Sequence, residues 1–268
     1  MEDFAGSVPR IYETYIVPLL FAPYARDLAR RVAARSPSRV LEIAAGTGAV
    51  TRELAARLPP ETTLVATDRS RAMLDQAAAL MPATARPIEW READALQLPF
   101  EGDGFDAAVC QFGVMFFPDK PKAFSEARRV LRPGGEYHFS VWDKLSDNEL
   151  ADTVQSALEA VFPENPPRFM ERTPHGYHDR TAIERDLRRG GFVASPEIET
   201  LTLRSRTPSA RDAAIAFCQG TPLRDEIEAR DASRLEEATD AAAAAIARRF
   251  GAGAADAKMQ AHIVAVAR

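Results

Sequence analysis

The sequence predicts an α/β fold, a mostly parallel sheet with helices on both faces. Three observations carry that expectation. Short apolar runs bounded by turn residues alternate with segments of helical periodicity. Several of the apolar runs end at once in glycine, Asp or Gln, the end at which ligands of such sheets bind. The chain has 268 residues, 46% hydrophobic and 27% charged. That is enough to bury a substantial core in one large domain or two small ones.

The elements follow in order. Ser38 to Ile43 reads as a short buried strand, with Gly46 and Gly48 directly after it. Val50, Leu54 and Leu58 recur at helical spacing until Pro59-Pro60 stops the helix. Thr63 to Thr67 is the next strand, ending at Asp68, and Ser70 can cap a helix carrying Met73, Leu74, Ala77 and Leu80. Ile88 to Ala93 is a weaker third strand before Asp94, and Phe105 to Gln111 is a fourth. Pro121 suits a first helical turn, and Ala123, Phe124, Ala127, Val130 and Leu131 give that helix an apolar face.

Pro133-Gly134-Gly135 reads as a hard turn and Tyr137 to Trp142 as a fifth strand. A helix from Asn148 to Val161 follows, then a polar, proline-rich loop over 162–178. Thr181 with Glu184 makes a capping-box pattern, and Gly190-Gly191 ends that helix. Ile198 to Leu203 is a sixth strand and His262 to Ala267 a seventh. Between them Ser209, Thr221 and Ser233 open three helices, the last rich in alanine. No internal repeat is present.

Composition removes several function classes. A net charge of -5 argues against a nucleic-acid partner held by a general basic surface. Two cysteines, Cys110 and Cys218, cannot build a disulfide framework, so a reducing, cytoplasmic setting is expected. The most apolar early stretch, Tyr15 to Tyr24, is short and carries two prolines, with Glu2 and Asp3 upstream. A signal peptide or membrane span needs the opposite. No Cys/His cluster has zinc spacing, so no metal is expected.

The chemistry gathers after four strands. The first gives Glu42 and the turn Ala44-Ala45-Gly46-Thr47-Gly48, the second Asp68, the third Asp94-Ala95, the fourth Gln111. A glycine turn between strand and helix, with an acid about 20 residues on, is a nucleotide-fold context. That acid can accept from both ribose hydroxyls, which NAD and S-adenosylmethionine share. Three features favour the second. Thr51 stands where a third glycine would let a helix pack on a pyrophosphate. Glu42 beside the turn repels a pyrophosphate but suits an ammonium or sulfonium. Asp94 adds another carboxylate.

Val40 to Gly48 (V-L-E-I-A-A-G-T-G), Asp68, Ala93-Asp94-Ala95, Leu98 to Asp106 (L-P-F-E-G-D-G-F-D) and Leu131 to Gly135 (L-R-P-G-G) carry a joint pattern. It resembles the class I S-adenosylmethionine-dependent methyltransferases, most closely the small-molecule branch that includes the ubiquinone/menaquinone-biosynthesis-like enzymes. The resemblance is strong over about residues 35–145 and topological beyond. It implies a Rossmann-like, seven-stranded sheet whose last strand is antiparallel, with a helical insertion before that strand.

The resemblance also implies roles. Gly46 and Gly48, with Ala44, would admit the methionine part of the cofactor. Glu42 would bind near its amino group and Asp68 its ribose hydroxyls. Met73 would pack on adenine, Asp94 would accept from the adenine N6 amino group beside Ala95, and Gln111 would sit at the sulfonium end.

The implied reaction is methyl transfer by in-line displacement to a small apolar or neutral acceptor. Alternatives are an NAD-dependent oxidoreductase or a non-catalytic S-adenosylmethionine-binding protein. No single catalytic residue is named, because alignment and water exclusion do most of the work. Tyr12, Tyr15, Met115, His175 and His178 are the candidate acceptor residues. The expected organisation is one methyltransferase domain. It comprises an N-terminal helical cover over 1–35, a core of 36–206 plus 256–268, and a helical lid over 207–255. The acceptor's identity, the atom methylated and the oligomeric state are not readable from the sequence.

Overall fold

A computed structural model describes residues 8–82 and 86–268. Glu2 and Asp3 therefore lie outside the described residues. The chain opens with α1 (Val8–Ile11) and a π-helix (Tyr12–Phe21) that contains Pro18. Proline has no N–H to give, which breaks the ordinary helical ladder, and Ala22 N–H donates five residues back to Val17 O. Then follow α2 (Ala22–Ala33), β1 (Arg39–Ile43), α3 (Ala49–Arg57), β2 (Thr63–Asp68), α4 (Arg71–Ala79), β3 (Ile88–Glu92) and β4 (Phe105–Gln111). After these come α5 (Lys120–Val130), β5 (Leu131–Trp142), α6 (Glu149–Val161), α7 (Phe169–Arg172) and α8 (Arg180–Arg189). The chain ends with β6 (Glu197–Thr207), α9 (Ala210–Gly220), α10 (Leu223–Asp231), α11 (Leu235–Phe250) and β7 (Ala255–Ala267).

The seven strands form one sheet in the order β3-β2-β1-β4-β5-β7-β6, with the last strand antiparallel. β1 pairs parallel with β2 and β4, and β4 parallel with β5. Several boundaries differ from the sequence expectation. β5 begins at Leu131 and carries Pro133-Gly134-Gly135 within it, through a register shift opposite Phe105/Ala107. β7 begins at Ala255, seven residues before His262. Asp179, not Thr181, caps α8 by accepting from Thr181 N–H. Asp231, not Ser233, supplies the cap before α11, through a 3₁₀ turn over Ala232–Arg234. Ser70 and Ser209 cap as expected.

Contacts divide the chain into two compact units. One comprises 24–141, 177–201 and 261–268. Its sheet residues alternate between two faces. Phe124 of α5 packs at 5.4 Å on Phe139 and 6.1 Å on Tyr137, so α5 covers the face of those β5 residues. Glu42, Val109 and His138 are in register on the other face, where Thr51 of α3 reaches Glu42. α2 belongs to this unit. Its Tyr24 meets Phe112 edge-on at 5.3 Å and donates to Leu201 O at 3.1 Å.

The other unit comprises 1–23, 142–176 and 202–260. Its core gathers Ile16, Leu19, Val154, Leu158, Phe217 and Ile246. The alanines of α9 and α11 let these helices pack closely. At Gly220 an added Cβ would lie 2.9 Å from Ile16 Cδ1, so the π-helix runs hard against the end of α9. Among the described residues no helix is long and apolar enough to cross a membrane.

His138 is buried on β5, with Nε2 3.1 Å from Glu136 Oε2. Burial, reinforced by the charges of Arg35 and Arg31, pushes its pKa down to about 4. The unfolded chain takes up this proton near pH 6.5 and the folded chain does not. The stabilisation is thus complete above pH 6.5 and is lost as pH falls towards 4. Urea unfolding at pH 7 and pH 5 should show a loss of up to about 2 kcal/mol from this group. His138→Gln should remove that part of the pH dependence.

Candidate functional site

β1 runs into a turn whose backbone is held in the left-handed region at three positions, Ala44 (φ 57°), Gly46 (φ 55°) and Gly48 (φ 79°). Glycine adopts that region freely, whereas alanine does so at a cost. Ala45 N–H donates to Thr67 O at 2.9 Å, tying the turn to the end of β2. A Cβ on Gly48 would come within 3.0 Å of Ala77 Cβ, so α4 packs directly on the turn. A Cβ on Gly46 would meet nothing within 4 Å. Backbone is therefore exposed to open space at Gly46.

Glu42 lies behind this turn and is only 2% exposed. Its Oε2 accepts from Thr51 Oγ1 at 2.6 Å. Burial outweighs that hydrogen bond and the nearby Arg52 charge, and the pKa is pushed up to about 8, with the Asp68 charge adding to the rise. Thr51, which stands where a dinucleotide fold carries a third glycine, is the hydroxyl partner of Glu42.

Asp68 ends β2 with both carboxylate oxygens engaged. Oδ2 accepts from Gly46 N–H at 2.9 Å and Oδ1 from Ser70 N–H at 2.8 Å. Each oxygen keeps a second lone pair for a ribose hydroxyl. Asp68 therefore shapes the glycine turn as well as lining it, and burial raises its pKa. Met73 is buried on α4. Asp94 accepts from Leu96 N–H at 2.9 Å within a tight bend that includes Ala95. The loop after it is clamped by α5. Glu126 Oε2 accepts from Leu98 N–H at 3.0 Å, and Arg129 donates to Leu98 O and Phe100 O.

Gln111 ends β4 opposite Ser140. The next residue, Phe112, is buried with φ 53°. A bulky residue held in that region stores backbone strain, which clusters at functional sites. No sequence signal marked it. Met115 is buried in the 3₁₀ turn that follows, and His178 belongs to the same unit. Tyr12, Tyr15 and His175 belong to the other unit. There His175 Nδ1 is 2.8 Å from Asp143 O, an arrangement that puts the proton on Nδ1. Tyr12, Phe21, Trp142 and His175 form a row of rings at centroid spacings of 5.4, 6.3 and 6.1 Å.

A cavity of about 510 Å³ is lined by Arg39, Arg91, Phe100 and Phe105, among others. Arg39 and Phe105 open β1 and β4, so this is not the site at the carboxyl ends of those strands.

The residues from 40 to 135 match a protein family described as a methyltransferase domain. Over that stretch the chain is similar to methyltransferase domains. It is 41% identical over 110 residues to a demethylmenaquinone methyltransferase of Deinococcus radiodurans, covering 41% of this chain and 45% of that protein. The chain spans about half the length of the curated relatives it matches.

Solved structures share the fold. The Bacillus subtilis YcgJ protein has a TM-score of 0.59 at 18% identity, covering 92% of this chain and 98% of that one. A Haemonchus contortus N-methyltransferase, solved with phosphomonomethylethanolamine and S-adenosylhomocysteine, has a TM-score of 0.57 at 17% identity. It covers 97% of this chain and 57% of that one.

The site's residues fit S-adenosylmethionine. A buried carboxylate with one hydroxyl partner suits an ammonium, and open space at Gly46 leaves room beside the backbone. A cation placed beside Glu42 favours its ionised form, so binding should expel its proton. Affinity for S-adenosylhomocysteine should therefore rise with pH up to about 8. Calorimetry at pH 7 in two buffers of different protonation enthalpy should show release of about one proton per ligand. Glu42→Gln should abolish that release and weaken binding. It should also stabilise the ligand-free protein as pH rises from 4.5 to 8, the interval in which the native carboxyl resists ionisation.

Proposed function

We propose that this protein transfers a methyl group from S-adenosylmethionine to a small, mainly apolar or neutral acceptor. The observation that carries the reading is the buried carboxylate of Glu42 behind a glycine turn that is pinned to Asp68. An ammonium beside this carboxyl favours loss of its proton, whereas a pyrophosphate opposes it, and that disfavours NAD.

When bound, the cofactor supplies a methyl group on a positively charged sulfur. The chain's own residues hold and orient. Backbone at Ala44, Gly46 and Gly48 receives the methionine part, and Glu42 balances its ammonium. Asp68 accepts from the ribose hydroxyls, Met73 packs on the adenine, and Asp94 with Ala95 meets its amino edge. Gln111 faces the sulfur end. Aligning the nucleophile and excluding water supplies most of the acceleration.

Acceptor selection falls in this reading to the helical segments, the 1–35 cover and the 207–255 lid, with Tyr12, Tyr15, Met115, His175 and His178 as the contacts. The name of the Deinococcus relative, a quinone methyltransferase, supports a small-molecule acceptor. The net charge of -5 accords with an acceptor that is not a nucleic acid. Two unpaired cysteines, both buried, accord with the cytoplasm.

The direct test is a screen of small acceptors read by release of S-adenosylhomocysteine. Acceptor-dependent release is expected. Tight cofactor binding with no release from any acceptor would indicate a binding protein instead. Asp68→Asn should weaken S-adenosylhomocysteine binding by at least about 1.5–3 kcal/mol, as for loss of hydrogen bonds to a charged group. An unchanged affinity in titration would remove Asp68 from the ribose site.

A further inference from the structure

Gly113 follows the strained Phe112 at the end of β4. Its backbone is ordinary, with φ -88° and ψ -36°, which any residue can adopt. The glycine is therefore not there for conformational freedom. The reason is space. A Cβ at 113 would lie 2.8 Å from Ala44 Cβ and 2.7 Å from Cys110 Sγ. Two carbons that close are more than half an ångström inside contact distance. Ala44 cannot easily yield, because its own φ of 57° is already fixed by the turn after β1. The turn after β4 thus rests directly on the turn after β1. The methyl group of Ala44 fills the place that a side chain at 113 would take.

We propose that Gly113 is a positioning residue for the glycine turn. By lacking a side chain it lets Ala44 wedge the two strand-end turns together, fixing Ala44 to Gly46 relative to Gln111 and Phe112. The link to ligand binding rests on the cofactor reading above. The wedge itself does not.

The test is a double-mutant cycle in a Cys110→Ala background, which removes the sulfur clash and leaves the Ala44 contact. Gly113→Ala is made there with and without Ala44→Gly. Binding of S-adenosylhomocysteine, thermal midpoint and hydrogen exchange at the amides of 45–48 are measured on every variant. With Ala44 present, Gly113→Ala should weaken binding at least about tenfold and accelerate exchange at 45–48. After Ala44→Gly, the same substitution should cost less than about threefold and leave exchange nearly unchanged, the signature of two coupled neighbours.

An equal effect in both backgrounds overturns the proposal, as does no effect in either. A fall in thermal midpoint alone, with binding and exchange unmoved, also overturns it. If the unsubstituted protein binds no S-adenosylhomocysteine, the cofactor reading fails, and the exchange pattern alone decides the wedge. If Gly113→Ala does not fold, Ala44→Gly in the otherwise native chain carries the test. Opening the wedge should then accelerate exchange at Phe112 to Val114, and unchanged exchange there overturns the proposal.

Discussion

Glu42 holds a carboxylate out of water at the end of β1 with the hydroxyl of Thr51 bonded to it at 2.6 Å. Most buried charges are neutralised by a partner or by protonation, and burial pushes this carboxyl up to about 8, towards the second route. Such a group is a standing cost to the folded chain. It becomes an asset once a cation lies beside it. The surrounding geometry follows from keeping that carboxyl in place. β1 lies in the sheet between β2 and β4, the turn above it is tied to β2, and α3 leaves the turn carrying Thr51 back to the acid.

The sheet register explains why so few residues suffice. Glu42 pairs with Ala66 of β2 and Val109 of β4, so Asp68 and Gln111 follow two residues on along neighbouring strands, on the same face. Glu42, Asp68 and Gln111 are therefore placed by backbone pairing rather than by loops. Two strained positions follow the ends of β1 and β4. Ala44 and Phe112 each occupy the left-handed region, at an order-of-magnitude cost of about 1–2 kcal/mol apiece. Packing, not propensity, holds them there. Phe112 is wedged edge-on against Tyr24, and Ala44 against Gly113.

Much of this was legible in the sequence, for physical reasons that differ by element. β4 is apolar and buried throughout most of its length, so Phe105 to Gln111 was found to the residue. The residues proposed for the cofactor follow strand ends, and the strands' carboxyl ends are where such folds bind. β7 was read short. Its first half alternates Ala255, Ala257 and Met259 with Asp256, Lys258 and Gln260, and alanine gives a period-two pattern little hydrophobic contrast. Asp179 and Thr181 are both competent caps, and spacing alone favoured the wrong one. Ala44 and Phe112 were invisible as strained positions because neither residue type signals a positive φ. Gly113 was invisible because a glycine required by a neighbour's methyl group looks like any turn glycine.

The central claim is that the acid-lined turn selects a cationic cofactor over an anionic dinucleotide. Parallel calorimetric titrations of the full chain with S-adenosylmethionine and with NAD test it most directly. The account predicts saturable binding of S-adenosylmethionine and no comparable heat with NAD. NAD binding as tight as that of S-adenosylmethionine would contradict it.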